Sequence, residues 1–207
     1  MYRLNFVVVV VFILIAMGIL SWTAIAGTES QSAIEQTFQK AKQDYLQKNM
    51  SSAAEQIQKG ATYIKAETAK ASVKGKEALT ASARELERLA ADVKKGTVTS
   101  VKRIDESFAR AYLALASDAH TKSVESWNRK ETTKAGDALD STTRYLENGF
   151  AWAGQKVETS TGEAMKKSKD LSLKLKGKGS VVAGEVGKDL KDMRNEIEKF
   201  GERIYPD

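Results

Sequence analysis

A chain of 207 residues, 42% apolar and 29% charged, with a single Pro and no Cys, has almost nothing to interrupt a helix. The missing Cys excludes disulfides, thiolate metal sites and thiol catalysis together. The formal charge is +6; Arg3 is the only ionisable side chain before residue 27, so the remainder carries 32 basic against 27 acidic groups, a mild excess that reads as a solvated mixed-charge surface rather than a nucleic-acid footprint.

The first element is a short positive start (MYR), then a nearly unbroken apolar run over residues 4–20, then SWTAIA. Ala24 and Ala26 have the small-residue spacing that signal peptidase accepts, so residues 1–26 read as a bacterial signal peptide cleaved after Ala26. The run is also long enough to be an uncleaved membrane anchor. Either way residues 27–207 are expected outside the cytoplasm, in the periplasm or held at the inner membrane facing it, with no nucleic acid among the partners.

Beyond that segment Ala, Lys, Glu, Ser and Thr dominate, which favours an all-α fold. A first helix is expected from a capping box at Ser32 and Glu35, with the stripe Ile34, Phe38, Ala41, Tyr45 and a stop at Lys48-Asn49-Met50. A second starts at Ser51 or Ser52, the latter boxed with Glu55, and carries Ile57, Ala61, Ile64, Thr68 and Ala71. It weakens over residues 68–78 and recovers at Leu79, Ala83, Leu86, Ala90 and Val93. Ile57, Thr68, Leu79 and Ala90 recur once every three helical turns, which predicts one long, nearly straight helix. Lys94-Lys95-Gly96 ends it.

Thr97, Thr99 or Ser100 caps a third helix. Its two stripes (Val101, Ile104, Phe108, Ala111, Leu115, Ala119; and Leu113, Ala116, His120, Val124, Trp127) place it between at least two neighbours. Thr133 caps a fourth, with Ala135, Leu139, Thr142, Leu146, Phe150, Ala153 and Val157, widened by Tyr145 and Trp152. Residues 158–168 are weak, and LSLKLKG (171–177) alternates like a strand but has no partner strand, so it is read as a fraying helix end. After a glycine linker, Ser180 caps a last helix whose seam is Val182, Val186, Leu190, Met193, Ile197, Phe200 and Ile204.

Two corners, YLQKNMSSAAEQI (45–57) and WNRKETTKAGDAL (127–139), match at a constant offset in numbering, Tyr45 against Trp127 and Lys48 against Lys130. The expected architecture is therefore an elongated helical bundle: two successive helical hairpins over residues 27–179 and a closing helix over 180–207. Each corner resembles a single hairpin of tetratricopeptide repeats, without their 34-residue period. Residues 68–78 are similar to the undecapeptide motif of late-embryogenesis-abundant proteins, a resemblance that implies a stress protectant partly disordered when dilute.

No catalytic or cofactor constellation is present. His120 is the only His, and Asp118, two positions away, does not share its helix face. G-x-S-x-G, H-E-x-x-H and phosphate-loop patterns are missing. Neither a catalytic residue, a metal nor a cofactor is expected. The candidate contact residues are Lys166, Lys167, Lys169, Lys174, Lys176 and Lys178, a basic run suited to an anionic surface, and the aromatics Trp127, Tyr145 and Trp152, a recognition surface if exposed and hairpin core if not. The sequence thus points to an exported, non-enzymatic interaction module binding another envelope protein or itself. The alternative is a lipid or membrane-surface binder resembling exchangeable apolipoproteins in its physical logic.

Overall fold

The computed structural model describes the backbone of residues 22–177 and 181–205, and side chains from residue 32 onward. The signal or anchor segment up to residue 21, most of the glycine linker and Ser180 lie outside the described residues. Seven helices are present among the described residues: α1 (Trp22–Leu46), α2 (Met50–Ala69), α3 (Gly75–Lys94), α4 (Val101–Asn128), α5 (Thr132–Trp152), α6 (Thr159–Lys176) and α7 (Ala183–Ile204). The fold is all-α, and none of these helices is long and apolar enough to cross a membrane. The chain divides into Met1–Gln36, where only the start of α1 is described, and Thr37–Asp207, to which the packing described below refers.

Most of the expected stripe positions bury, but Val182, expected to open the last seam, is instead the cap of the last helix and 61% exposed. Ile57, Ala61 and Ile64 of α2, Leu79, Ala83, Leu86, Ala90 and Val93 of α3, and Val186, Leu190, Met193, Ile197, Phe200 and Ile204 of α7 are all buried. Helix α4 packs against α3, α5 and α7, as its two stripes require, and α7 lies on α4 and α6. Residues 171–176 are helical. Leu171 and Leu175, four apart, face the core, while Leu173 is 66% exposed, so the alternation reflects i, i+4 burial and not a strand.

Several expectations are corrected. α1 already runs from Trp22, so Ser32 is not its cap. Neither the box at Ser52 nor the cap at Thr133 forms: the caps of α2 and α5 are Asn49 and Glu131, and Ser52 Oγ instead donates to Asp44 at 2.6 Å. The two long helices are each broken in two. The three-turn continuity ends at residues 70–74, and the second long helix ends at Trp152, leaving Val157 44% exposed outside any helix.

With the breaks in place, the offset between the two corners becomes a three-helix repeat. α4 ends at Asn128 as α1 ends at Leu46, α5 begins at Thr132 as α2 begins at Met50, and α6 ends at Lys176 as α3 ends at Lys94. The same offset separates Ala183 from Val101, so α7 begins where a second copy of α4 would and stands as the first helix of a third unit. The corners agree in detail. Lys48 (φ 62°) and Lys130 (φ 61°) both take the left-handed conformation, at a cost of about 1–2 kcal/mol for a residue with a Cβ. Each is followed by the same bond, Asn49 N–H to Asp44 O and Glu131 N–H to Ser126 O, both 2.9 Å. That helix-ending pattern satisfies carbonyls the last turn would otherwise orphan.

The core centres on Phe38, stacked on Phe108 with centroids 3.9 Å apart and met edge-on by Tyr112 and Trp152. Phe38 fits because α2 offers Gly60 there: a Cβ on Gly60 would stand 2.4 Å from the ring. Phe200 of α7 is seated likewise against Gly149, where a Cβ would be 2.7 Å away.

Candidate functional site

The lysine run is divided by the geometry of α6. Lys169 pairs with Glu147 of α5 at 2.7 Å, and Lys176 with Asp140 at 3.5 Å and Asp137 at 3.9 Å. Lys167 and Lys174 point the other way, into a groove of about 130 Å³ shared with Glu185 and Asp189 of α7. Lys166 is exposed, and Lys178 lies outside the described residues. The run is therefore spread around a helix and mostly faced by carboxylates, not gathered into one basic surface.

Its counterpart in the first repeat explains the arrangement. One repeat earlier stand acids: Glu85 for Lys167, Glu87 for Lys169, Asp92 for Lys174. Their partners are inverted too. Lys65 pairs with Glu87 where Glu147 pairs with Lys169. Arg103 pairs with Asp92 at 2.6 Å, and the equivalent Glu185 shares a groove with Lys174. Arg110 Nε donates to Glu85 at 2.8 Å, and the equivalent Asp192 shares a groove with Lys167. Even Arg88, exposed beside Arg103 and Arg110, becomes Asp170 beside Glu185. Thus α4 docks on α3 as base on acid, while acids of α7 share grooves with lysines of α6; Arg203 of α7, bonded to Glu158 at 2.6 Å, runs in the opposite sense. Burial, the largest single influence, would lower the Arg110 pKa, but the hydrogen bond to Glu85 together with the charges of Glu85, Tyr205 and Glu106 outweighs it and the value is raised.

The aromatics are core rather than a recognition surface. Tyr145 and Trp152 are 7% and 6% exposed, and only Trp127 is half-buried. Trp152 meets Phe108 edge-on at 5.0 Å with Lys42 Nζ 5.3 Å above its ring. Tyr145 tilts on Tyr112 at 6.2 Å, and its hydroxyl is 3.3 Å from that of Tyr63, its own counterpart in the first repeat.

Sequence reasoning set Asp118 aside. It is buried, and one carboxylate oxygen accepts from both the N–H and the hydroxyl of Ser72 while the other meets Lys122 at 2.6 Å. Ser72 Oγ in turn accepts from Gly75 N–H at 2.9 Å, which caps the first turn of α3. The break over residues 70–74 is thus imposed from α4. The spacing signal was present, since Asp118 occupies the register of Phe200.

His120, on the opposite side of α4, holds α7: its Nε2 is 2.8 Å from Leu190 O. Burial depresses its pKa, with Arg194 acting in the same sense, while the Leu190 carbonyl and Glu198 oppose. Beside it an open furrow of about 410 Å³ runs between α4 and α7, walled by His120, Val124, Arg194, Ile197 and Glu198 with Lys74 and Glu125 at its margin. Among the described residues no group of three or more His, Cys, Asp or Glu is placed to hold a metal ion. What the furrow offers is a mixed-charge, partly apolar wall between two helices. No protein-family model, curated protein or solved structure matches the chain.

Proposed function

We propose that this chain is an exported, non-enzymatic helical-repeat protein of the cell envelope that works by binding another protein or a second copy of itself. The observation that carries the reading is the three-helix repeat, with its helix ends and left-handed corner lysines in register. A repeat of this kind buries its apolar faces against its neighbours and leaves a series of inter-helix furrows facing out, the surfaces by which repeat proteins engage partners. The export expectation rests on residues 1–26. The lipid-surface alternative loses its main support, because Lys169 and Lys176 are committed to acids of α5.

Photo-crosslinking in native cells tests this, with the reactive side chain placed at Leu46, Val73 or Leu173, apolar positions 61%, 89% and 66% exposed. Discrete protein adducts in the envelope fraction, or dimers of the chain, are expected. Loss of all adducts, together with salt-sensitive flotation on anionic vesicles, would replace the reading with the membrane-surface one.

A further inference from the structure

The junctions between successive repeats are not filled alike. At the first, α5 lies in the furrow between α1 and α4: Trp152 meets Phe38 and Phe108 edge-on beneath Lys42, and Tyr145 tilts on Tyr112. One repeat on, the receiving side chains Phe38, Phe108, Lys42 and Tyr112 become His120, Leu190, Val124 and Arg194. His120 and Leu190 are in contact across α4 and α7 as Phe38 and Phe108 are across α1 and α4. His120, Val124 and Arg194 wall the 410 Å³ furrow, and no helix among the described residues lies in it. The furrow is the α5 seat, one repeat later and open.

We propose that this furrow seats one helix of a partner protein: an amphipathic helix carrying an aromatic side chain with an acidic residue two turns before it. This rests on the protein-binding reading above and names its location and the chemistry of the occupant. The aromatic follows from Trp152, whose equivalent would settle against His120 and Val124. The acid follows from the exchange of Tyr112 for Arg194. The occupant residue at the position of Tyr145, seven before the aromatic, meets a guanidinium instead of a phenol ring; the Arg194 Nε already donates to Glu198 at 2.8 Å, and a carboxylate there takes up the remaining N–H donors in a charge-assisted bond. The walls also separate a transient guest from a permanent helix. Tyr112 and Ala116, buried under α5, are replaced by the exposed Arg194 and Glu198, so the open furrow stays soluble, as in reversible interfaces no more apolar than ordinary surface.

The α5 sequence is the natural probe. Two synthetic peptides of residues 131–155, one native and one carrying Tyr145→Glu, are titrated onto the full-length chain in neutral nanodiscs, with empty nanodiscs as blank. The Tyr145→Glu peptide is expected to bind about tenfold more tightly than the native one. Arg194→Glu in the chain should erase that gain, and Val124→Glu should weaken both peptides. A peptide that displaced α5 from its own seat would behave oppositely, losing affinity with Tyr145→Glu because Tyr63 and Tyr112 offer no cation. Arg194 is exposed, so its variant keeps the fold, which a thermal melt checks. Absence of binding by both peptides at millimolar concentration, or a gain that survives Arg194→Glu, overturns the proposal. The crosslinking positions Leu46, Val73 and Leu173 do not line the furrow, so adducts there would still support protein binding if the furrow fails.

Discussion

Asp118 accepts from both the backbone N–H and the hydroxyl of Ser72, each at 2.8 Å, so that a single carboxylate oxygen fixes the corner between α2 and α3. The same carboxylate group leaves room only for Gly75, where a Cβ would stand 2.1 Å from it. Asp118→Ala strands buried donors and is expected to lower stability by about 2–3 kcal/mol. Asp118→Asn keeps an acceptor oxygen and should lose less. Urea unfolding of both variants measures this, and an Ala variant as stable as the parent would show that the corner forms without Asp118.

The inverted charges predict a rescue. Glu185→Lys with Asp192→Lys sets cations of α7 against Lys174 and Lys167, and the urea midpoint should fall. Adding Lys167→Glu and Lys174→Glu restores opposition in the sense used by α3 and α4, and the midpoint should recover. A quadruple variant no better than the double would refute pairing across the α6–α7 junction.

Glycines divide by what surrounds them. Gly60→Ala drives a methyl into the Phe38 ring and should cost about 1–3 kcal/mol. Gly187 sits inside α7 with nothing within 4 Å of a Cβ, so Gly187→Ala should stabilise by about 0.5–1 kcal/mol through helix propensity. Opposite signs in parallel thermal melts confirm the seating of Phe38.

His120 gives the protein an acid-sensitive joint. Its pKa in the fold lies below the ordinary value near 6.5, chiefly through burial. On acidification the unfolded chain takes up the proton first, so stability should be constant above that value and fall as pH drops from it toward the depressed one. His120→Phe, which copies Phe38, should flatten that window. Glu196 acts later: bonds from Lys199 and Thr161 overcome the effect of burial and lower its pKa, so its contribution is present above about 4.5 and lost below, through its folded value. Urea midpoints measured across pH separate the two, and an unchanged slope in the variant would clear His120.

The helical class, the buried stripes, the Gly96 stop and the Ser100 cap were legible because each is written in neighbouring residues. The breaks were not. Residues 70–74 hold no Pro or Asn, and their turn is imposed by Asp118, far downstream of Ser72 in the chain. The corner was placed on Asn49, yet Lys48 takes the left-handed conformation, because register and not preference decides which residue follows the last turn. Tyr145 and Trp152 read as either surface or hairpin core while the first repeat's claim on them was unknown. The charge inversion could have been found: at the offset that lays Tyr45 on Trp127, Glu85, Glu87 and Asp92 fall on Lys167, Lys169 and Lys174, a match of opposites that a search for like residues passes over. At that offset Val186, Leu190 and Ile197 also fall on Ile104, Phe108 and Leu115, which would have shown α7 as a third beginning.

Alternating sign has a consequence for how such a chain can change length. Units that meet base on acid and then acid on base behave like bar magnets laid end to end. Copying α4 through α6 once more would bring the arginines of α4 against the lysines of α6, and like poles would meet. Copying α2 through α7 together keeps the alternation of sign. Lineages built on this repeat should therefore lengthen or shorten by a pair of units at a step, or repaint a whole helix face each time they move by a single one.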